Sequence, residues 1–305
     1  HALENSIASN IPHEHLSLLF MQRLNEQFNG KLSLAIKIFK NKHPKQFLHQ
    51  LVSSQLDMDR LDYLKRDSFF TGVTEGNIGT ERIINMLDVV DDKLVVEEKG
   101  IYSIEKFLIA RRLMYWQVYL HKTVVSAENM LIKTLQRAKE LLNDGKEVYA
   151  NPYLGEFLKN NYTIIDFENN TKLLNDFAEL DDFDIYSSLK YWKNNPDFVL
   201  SSLSKMILNR NLLKIKLQNT AFTASEIETE IDTVKKYYNI SKQEAEYFIF
   251  SDKVSNSTYN IEKANINILM KNGDVIDITS ASGQFNIEAL KKTINKYFLC
   301  YPKLK

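Results

Sequence analysis

The fold is decided by the stretch Leu56-Asp57-Met58-Asp59-Arg60-Leu61-Asp62-Tyr63-Leu64-Lys65-Arg66-Asp67. As a helix, this stretch places Met58, Leu61 and Leu64 along one stripe, because they are three residues apart. Such an apolar stripe indicates a helix that packs one side against the protein core.

The opposite side of this helix is polar. Asp59, Tyr63 and Asp67 recur every four residues and share a face, with Arg60 and Arg66 beside it. Carboxylates, a phenol and guanidinium groups together suit a divalent cation and an anionic substrate. On the residues alone, a solvated helix with ordinary ion pairs remains an open interpretation.

Composition limits the classes of function. The 305 residues carry 39 basic and 39 acidic side chains, so no overall field favours nucleic acid or a membrane surface, and any anion site must be local. Cys300 is the one cysteine, which excludes an internal disulfide and fits a cytoplasmic location. No apolar run approaches a membrane span and no secretory leader is visible, so we expect no membrane partner. Few glycines and prolines predict a mainly helical protein.

The stretch from Asp57 to Asp67 resembles the D-x-D-[KR]-x-D-Y-x-x-R-D signature of HD-domain phosphohydrolases. The branch it resembles most includes the deoxynucleoside triphosphate triphosphohydrolases. The resemblance implies a divalent metal ion (Mg, Mn, Fe, Co, Ni or Zn) with Asp59 as its last protein ligand. It also implies that Arg60 contacts phosphate and that Tyr63 and Asp67 face the sugar.

The beginning of the chain carries a second part of the resemblance. His1-Ala2-Leu3-Glu4 is similar to the end of the family's H-D-x-G-H-G-P-F-S-H-x-x-[DE] motif. This implies that His13 is the catalytic histidine, that Glu4 orients it and that His1 contacts substrate. A carboxylate on one imidazole nitrogen fixes the tautomer and raises the basicity of the other nitrogen. On the residues alone, His13 also fits a surface position where a helix begins. The resemblance implies that the remaining metal ligands lie upstream of His1.

A third group of residues recurs at helical spacing. Arg111, Tyr115 and Tyr119 are four residues apart and share a face, which on the residues alone also fits ordinary core packing. Tyr119-Leu120-His121-Lys122 is similar to a Y-x-H-K run of the triphosphohydrolases, which implies that Arg111 contacts phosphate and that Tyr119 stacks beneath the sugar. Tyr115 occupies a position that is histidine in that family, and it is assigned to substrate binding.

The predicted architecture is mainly α, an HD-domain helical core with a smaller α+β part at the C-terminal end. The core is assigned to residues 1–145, and residues 146–305 are assigned to a C-terminal helical and α+β region. Helical patterning predicts one long helix, or two nearly collinear ones, from Ser103 to Asn143. Alternating residues around Asn272-Gly273 predict a hairpin. A final amphipathic helix is predicted from Ile287 to Phe298.

The expected function is metal-dependent hydrolysis of deoxynucleoside triphosphates to deoxynucleoside and triphosphate. Two alternatives stay open: a phosphohydrolase of nucleoside monophosphates or other small phosphate esters, and a non-catalytic relative that binds a nucleotide or nucleic acid. The neutral net charge makes nucleic acid the less expected partner. The resemblance further implies a homo-oligomer, a dimer or larger.

Overall fold

The computed structural model describes residue 6 and residues 11–256, 259, 265–282 and 293–304. The predicted fold class is confirmed, since helices dominate and the strands form two small sheets. The helices are α1 (His13–Gln27), α2 (Ser33–Phe39), α3 (Phe47–Val52), α4 (Met58–Thr71), α5 (Thr80–Asn85), α6 (Ile101–Met114), α7 (Lys122–Asn143), α8 (Pro152–Lys159), α9 (Ile164–Asn169), α10 (Thr171–Ala178), α11 (Asp182–Trp192), α12 (Phe198–Leu208), α13 (Ala224–Tyr238), α14 (Lys242–Ala245) and α15 (Ile278–Ala281). The strands are β1 (Leu87–Val90), β2 (Lys93–Glu97), β3 (Lys214–Gln218), β4 (Phe250–Asn256), β5 (Asn267–Leu269), β6 (Val275–Asp277) and β7 (Ile294–Tyr301).

The chain divides into two compact units that interleave along the sequence. The first unit comprises His1–Gln27, Lys122–Lys253 and Tyr297–Lys305. The second unit comprises Phe28–His121 and Val254–Lys296. The boundary near residue 145 remains a prediction.

The first unit is a helical assembly around a core of aromatic and aliphatic side chains. Trp192, Phe157 and Leu135 are buried there, and the Trp192 indole N–H donates to the Tyr149 carbonyl at 2.7 Å. The end of β7 pairs antiparallel with β3, with Tyr301 opposite Lys214 and Tyr297 opposite Gln218.

The second unit packs α4 and α6 around one apolar core. The predicted apolar stripe of α4 is confirmed, because Leu61 and Leu64 are buried with Phe107 and Leu108 of α6. A four-stranded sheet in the order β1-β2-β5-β6 belongs to this unit, with β2 and β5 parallel and the other neighbours antiparallel. The predicted hairpin is confirmed as β5 and β6, in which Asn267 is paired with Asp277.

Capping explains the bounds of α4. The Asp57 side chain accepts the Arg60 N–H at 2.8 Å, which satisfies one of the free amides of the first turn. Gly72 ends the helix at φ 72°, a left-handed conformation that glycine adopts without steric cost.

Two predicted helical segments can be compared with the structure. The segment from Ser103 to Asn143, predicted as one long helix or two nearly collinear ones, forms two helices: α6 ends at Met114, a π-helical turn spans Tyr115–Tyr119, and α7 begins at Lys122. The final helix is wrong from Ile294 onward, where β7 lies, because pairing with β3 outweighs the local helical pattern. Its beginning, residues 287–292, lies outside the described residues.

A close approach at Gly76 positions α4 against α6. A Cβ atom on this buried glycine would lie 2.6 Å from the Met114 sulfur of α6 and 2.8 Å from the Ser68 Cβ of α4. The two helices can therefore keep their spacing only while residue 76 has no side chain.

Gly76→Ala is expected to lower the free energy of unfolding by about 1–3 kcal/mol, because the added methyl group overpacks this contact. Chemical denaturation measures the change. Gly79→Ala is the matched control, since its Cβ would find its nearest atom at 3.8 Å and a change below about 0.5 kcal/mol is expected. Equal stabilities of the two variants would contradict the packing argument.

Candidate active site

Six of the predicted site residues lie together in the second unit, on α4, α6 and the π-helical turn. They are Arg60, Tyr63, Asp67, Arg111, Tyr115 and Tyr119. Ring contacts, a hydrogen bond and mutual electrostatic effects connect them. Their roles in substrate binding remain predictions.

Three tyrosine rings form the aromatic part of the site. The Tyr119 ring lies edge-on to both Tyr63 and Tyr115, with centroid distances of 5.9 Å and 5.2 Å. Edge-to-face contacts of this kind are favourable and fix the ring orientations. All three tyrosines are partly exposed, and Tyr63 and Tyr119 also pack against the apolar core of this unit.

A π-helical turn presents two of these rings. The Leu120 N–H donates to the Tyr115 carbonyl at 2.7 Å, five residues earlier, in place of the α-helical partner. Turns of this type occur frequently at functional sites. Sequence reasoning placed both tyrosines on one face but predicted a regular helix, and no local signal marked the π geometry.

The Tyr119 phenol is tied to Asp67. Its hydroxyl donates to the Asp67 carboxylate at 2.8 Å. Burial, followed by this hydrogen bond, raises the pKa of Tyr119 well above its ordinary value. The Asp67 side chain is 29% exposed, so its remaining lone pairs can accept from a ligand hydroxyl.

Two arginines supply positive charge. The Arg60 guanidinium lies 3.2 Å from the Asp57 carboxylate, which also accepts the Ser54 N–H at 3.1 Å. Arg111 is only 7% exposed and donates through Nη1 to the Gln55 side-chain carbonyl at 2.9 Å. The Nε–H groups of both arginines are buried without a partner among the described residues.

Buried, unpaired guanidinium N–H groups are unfavourable. Leaving a buried donor unsatisfied costs about 1–3 kcal/mol, and more for a charged group. An anion that reached either guanidinium would offer such a donor a charged acceptor, and both arginines lie close enough to Tyr63 to affect its pKa. Anion binding at these two arginines remains a prediction, to which the two donors without partners lend support.

Burial also affects Tyr63. Desolvation, followed by the neighbouring Tyr115, raises its pKa to about 12, while Arg111 and Arg60 act in the opposite direction. The folded state therefore prefers the neutral phenol.

Tyr63→Phe is expected to remove, from the phenolate absorbance titration, one phenol that ionises near pH 12. Because the folded-state pKa is raised, the associated stability is complete below the unfolded value of about 10 and is lost as pH rises through the folded value. The denatured chain is the reference, because its tyrosine phenols have a pKa of about 10. Loss of a phenol that ionises near 10 in the folded protein would contradict this assignment.

Asp59, the predicted metal ligand, lies exposed in the first turn of α4. Among the described residues it makes no side-chain hydrogen bond and no ion pair, so both oxygens are available. Within the same ranges, no three His, Cys, Asp or Glu side chains are grouped to hold a metal ion. The described residues therefore offer one predicted ligand and do not by themselves form a metal centre.

The remaining predicted residues belong to the beginning of the chain. His13 is the first residue of α1 in the first unit, 72% exposed, with its Nε2 3.4 Å from the Glu14 carboxylate. His1 and Glu4 lie outside the described residues. The predicted pairing of Glu4 with His13 therefore stays a prediction.

Sequence reasoning missed two residues of the site. Gln55 and Asp57 hold the two arginines, and neither was assigned a role. Asp57 had a recognisable signal, since aspartate just before a helical pattern is a common N-cap. Gln55 had none, because its partner is 56 residues away.

A pocket of about 530 Å³ lies in the first unit and contains none of the predicted site residues. Its lining is mainly aliphatic, with Glu128, Asp181 and Asp182 among the lining residues.

Among the helices of the described ranges, none combines the length and apolar composition that a bilayer crossing requires.

Comparison with known proteins places these residues in context. A family model described as an HD associated region matches residues 78–150. A crystal structure described as a phosphohydrolase from Bacteroides thetaiotaomicron is 51% identical and superimposes with a TM-score of 0.95, covering 99% of this chain and 75% of that one.

Two curated proteins are also similar. The uncharacterized protein YwfO of Bacillus subtilis is 30% identical over 275 residues, which are 88% of this chain and 59% of YwfO. A Dictyostelium discoideum homolog of the deoxynucleoside triphosphate triphosphohydrolase SAMHD1 is 27% identical over 125 residues, 39% of this chain and 24% of that protein. The chain thus spans about three fifths of YwfO.

Proposed function

This chain belongs to the HD phosphohydrolase superfamily, and from that membership we propose that it acts on nucleotides as a metal-dependent phosphohydrolase. The proposed substrates are deoxynucleoside triphosphates, which are hydrolysed to deoxynucleoside and triphosphate. The observation that carries this proposal is a pair of buried guanidinium N–H groups, without partners among the described residues, beside three tyrosine rings. Similarity to a SAMHD1 homolog supports the choice of substrate.

The two halves of the site suit the two halves of a nucleotide. Arg60 and Arg111 offer charged donors to phosphate oxygens and stabilise the charge that develops at phosphorus. Asp67 offers an acceptor to a sugar hydroxyl, and the ring of Tyr119 forms an apolar surface beside it. A 2′-hydroxyl against that ring would clash or lose its hydrogen bonds, which favours deoxyribose.

The proposed reaction is attack of water on the α-phosphorus with cleavage of its bond to the 5′ oxygen of the nucleoside. The leaving oxygen then requires a proton from a general acid. A proton-donating role for His13, which belongs to the first unit, stays a separate prediction. Asp59 is the one proposed metal ligand among the described residues, and a divalent ion supplies Lewis acidity toward phosphate. A homo-oligomer and a cytoplasmic location are further proposals.

A second candidate is hydrolysis of nucleoside monophosphates or other small phosphate esters. The observation that favours it is Tyr115, a phenol beside Tyr119 where the similar family has an imidazole. A phenol, unlike an imidazole, cannot become a cation by protonation, so fewer phosphate charges could be neutralised. A non-catalytic nucleotide-binding or nucleic-acid-binding protein is the third candidate, and the zero net charge gives it no support for nucleic acid.

The test is incubation of the protein with each deoxynucleoside triphosphate and Mn²⁺, Mg²⁺ or Co²⁺, followed by identification of the products. Nucleoside together with tripolyphosphate supports the proposal. Orthophosphate from monophosphates, with triphosphates left intact, would support the second candidate. Binding of nucleotide with no turnover under any of the metals would support the third.

A further inference from the structure

The two arginines of the site are held by chemically different partners. Arg60 lies against the Asp57 carboxylate, which is 3% exposed, so most of its charge is compensated inside the protein. Arg111 is held by the side-chain amide of Gln55, and both residues are 7% exposed. No carboxylate of the described residues lies within 4.0 Å of the Arg111 guanidinium.

A neutral partner has a specific physical effect. The Gln55 carbonyl fixes one guanidinium nitrogen at 2.9 Å but brings no negative charge. A carboxylate in the same place would make a stronger bond to Arg111 and would cancel the field that an incoming anion experiences. The amide therefore orients Arg111 and leaves its full charge available.

The geometry of the remaining donors agrees with this assignment. With Nη1 directed at Gln55, the buried Nε–H of Arg111 has no partner among the described residues. Gln55 lies in the loop before α4, two residues before Asp57, so one short segment holds both arginines. Through the hydrogen bond between Gln55 and Arg111, this loop is connected to α6.

We propose that Gln55 is a positioning residue that holds the Arg111 guanidinium, uncompensated, for an oxygen of a phosphate chain. The inference rests on the proposed function only for the identity of the anion. It predicts that the acceptor at position 55 must be neutral.

The experiment measures binding of tripolyphosphate by calorimetry to the wild-type protein and to Gln55→Glu, Arg111→Gln and the double variant. Gln55→Glu keeps the shape and the acceptor but adds a charge, and we expect binding to weaken by at least about 10-fold because the new ion pair competes with the ligand. In the Arg111→Gln background the same change is expected to weaken binding by less than about twofold, because Gln55 acts through Arg111.

Gln50→Glu is the matched control. The Gln50 side-chain carbonyl accepts the Leu94 backbone N–H at 2.7 Å, so the control adds the same charge at a glutamine that has no arginine partner in the described part of the chain. We expect it to change tripolyphosphate binding by less than about twofold. Circular dichroism checks that each variant is folded.

Wild-type binding by Gln55→Glu, or losses that add in the double variant, would overturn the inference. So would a wild-type protein whose tripolyphosphate binding does not depend on Arg111. The proposed function fails separately: if tripolyphosphate binds through Arg111 and Gln55 but no nucleotide is hydrolysed, the reaction is wrong and the positioning role stands.

Discussion

Asp59→Ala is expected to reduce nucleotide hydrolysis on the order of 10³-fold or more, equivalent to about 4 kcal/mol of transition-state stabilisation. The reason is that Asp59 is exposed at the beginning of α4 with neither oxygen engaged by a described residue, so its carboxylate is available to a cation. The measurement is kcat for release of tripolyphosphate, together with metal content by elemental analysis. Both are expected to fall together.

The fold is expected to tolerate this substitution. A first-turn carboxylate contributes about 0.3–1 kcal/mol through the helix dipole, so the loss of stability is limited to that range. Asp62→Ala is the matched control on the same helix, because Asp62 is exposed and pairs with Arg66 at 2.9 Å. Exposed pairs of this kind contribute little, and activity close to wild type is expected. Full activity of Asp59→Ala would remove this residue from the site.

The spacing of apolar residues correctly predicted which side of α4 is buried. The stripe of Leu61 and Leu64 is buried because an amphipathic helix packs its apolar face inward. The same argument failed for β7, whose residues pair with β3 about 80 positions earlier in the chain. The local sequence does not show that such a distant strand will pair with it, so a strand whose residues have a helical pattern is predicted as a helix.

The site was predictable to a similar extent. Residues four apart on α4 and near the end of α6 could be placed on common faces, and the structure brings them into one cluster. The contacts that position the side chains of this cluster could not be predicted from the sequence. Gln55 reaches Arg111 across 56 residues, and the Tyr115–Tyr119 turn is π-helical with no local signature. Such features depend on tertiary packing and can be recognised only in a three-dimensional structure.

Arg111→Met is expected to affect activity and stability in opposite directions. Arg111 is buried, and within the described ranges no carboxylate compensates its charge and no acceptor pairs with its Nε–H. Loss of a preorganised donor that faces developing charge typically costs about 10²–10³-fold in rate, and we expect a fall of that size in kcat/KM. An apolar side chain of similar length loses the hydrogen bond to Gln55 but also removes the buried charge and the Nε–H without a partner. We expect the second effect to be the larger, so the free energy of unfolding is expected to rise by about 1 kcal/mol.

Arg112→Met, on the next position of α6, separates this effect from a general loss of helix charge. Arg112 is partly exposed and faces away from the stripe of Arg111 and Tyr115, so its substitution is expected to leave kcat/KM within about twofold. Kinetics and chemical denaturation of both variants provide the measurement. If Arg111→Met lowered stability and activity together, the arginine would be a structural residue, since a group retained for its substrate destabilises the free protein. If Arg111→Met instead raises the free energy of unfolding and lowers kcat/KM, the charge of Arg111 serves substrate binding and not the stability of the fold.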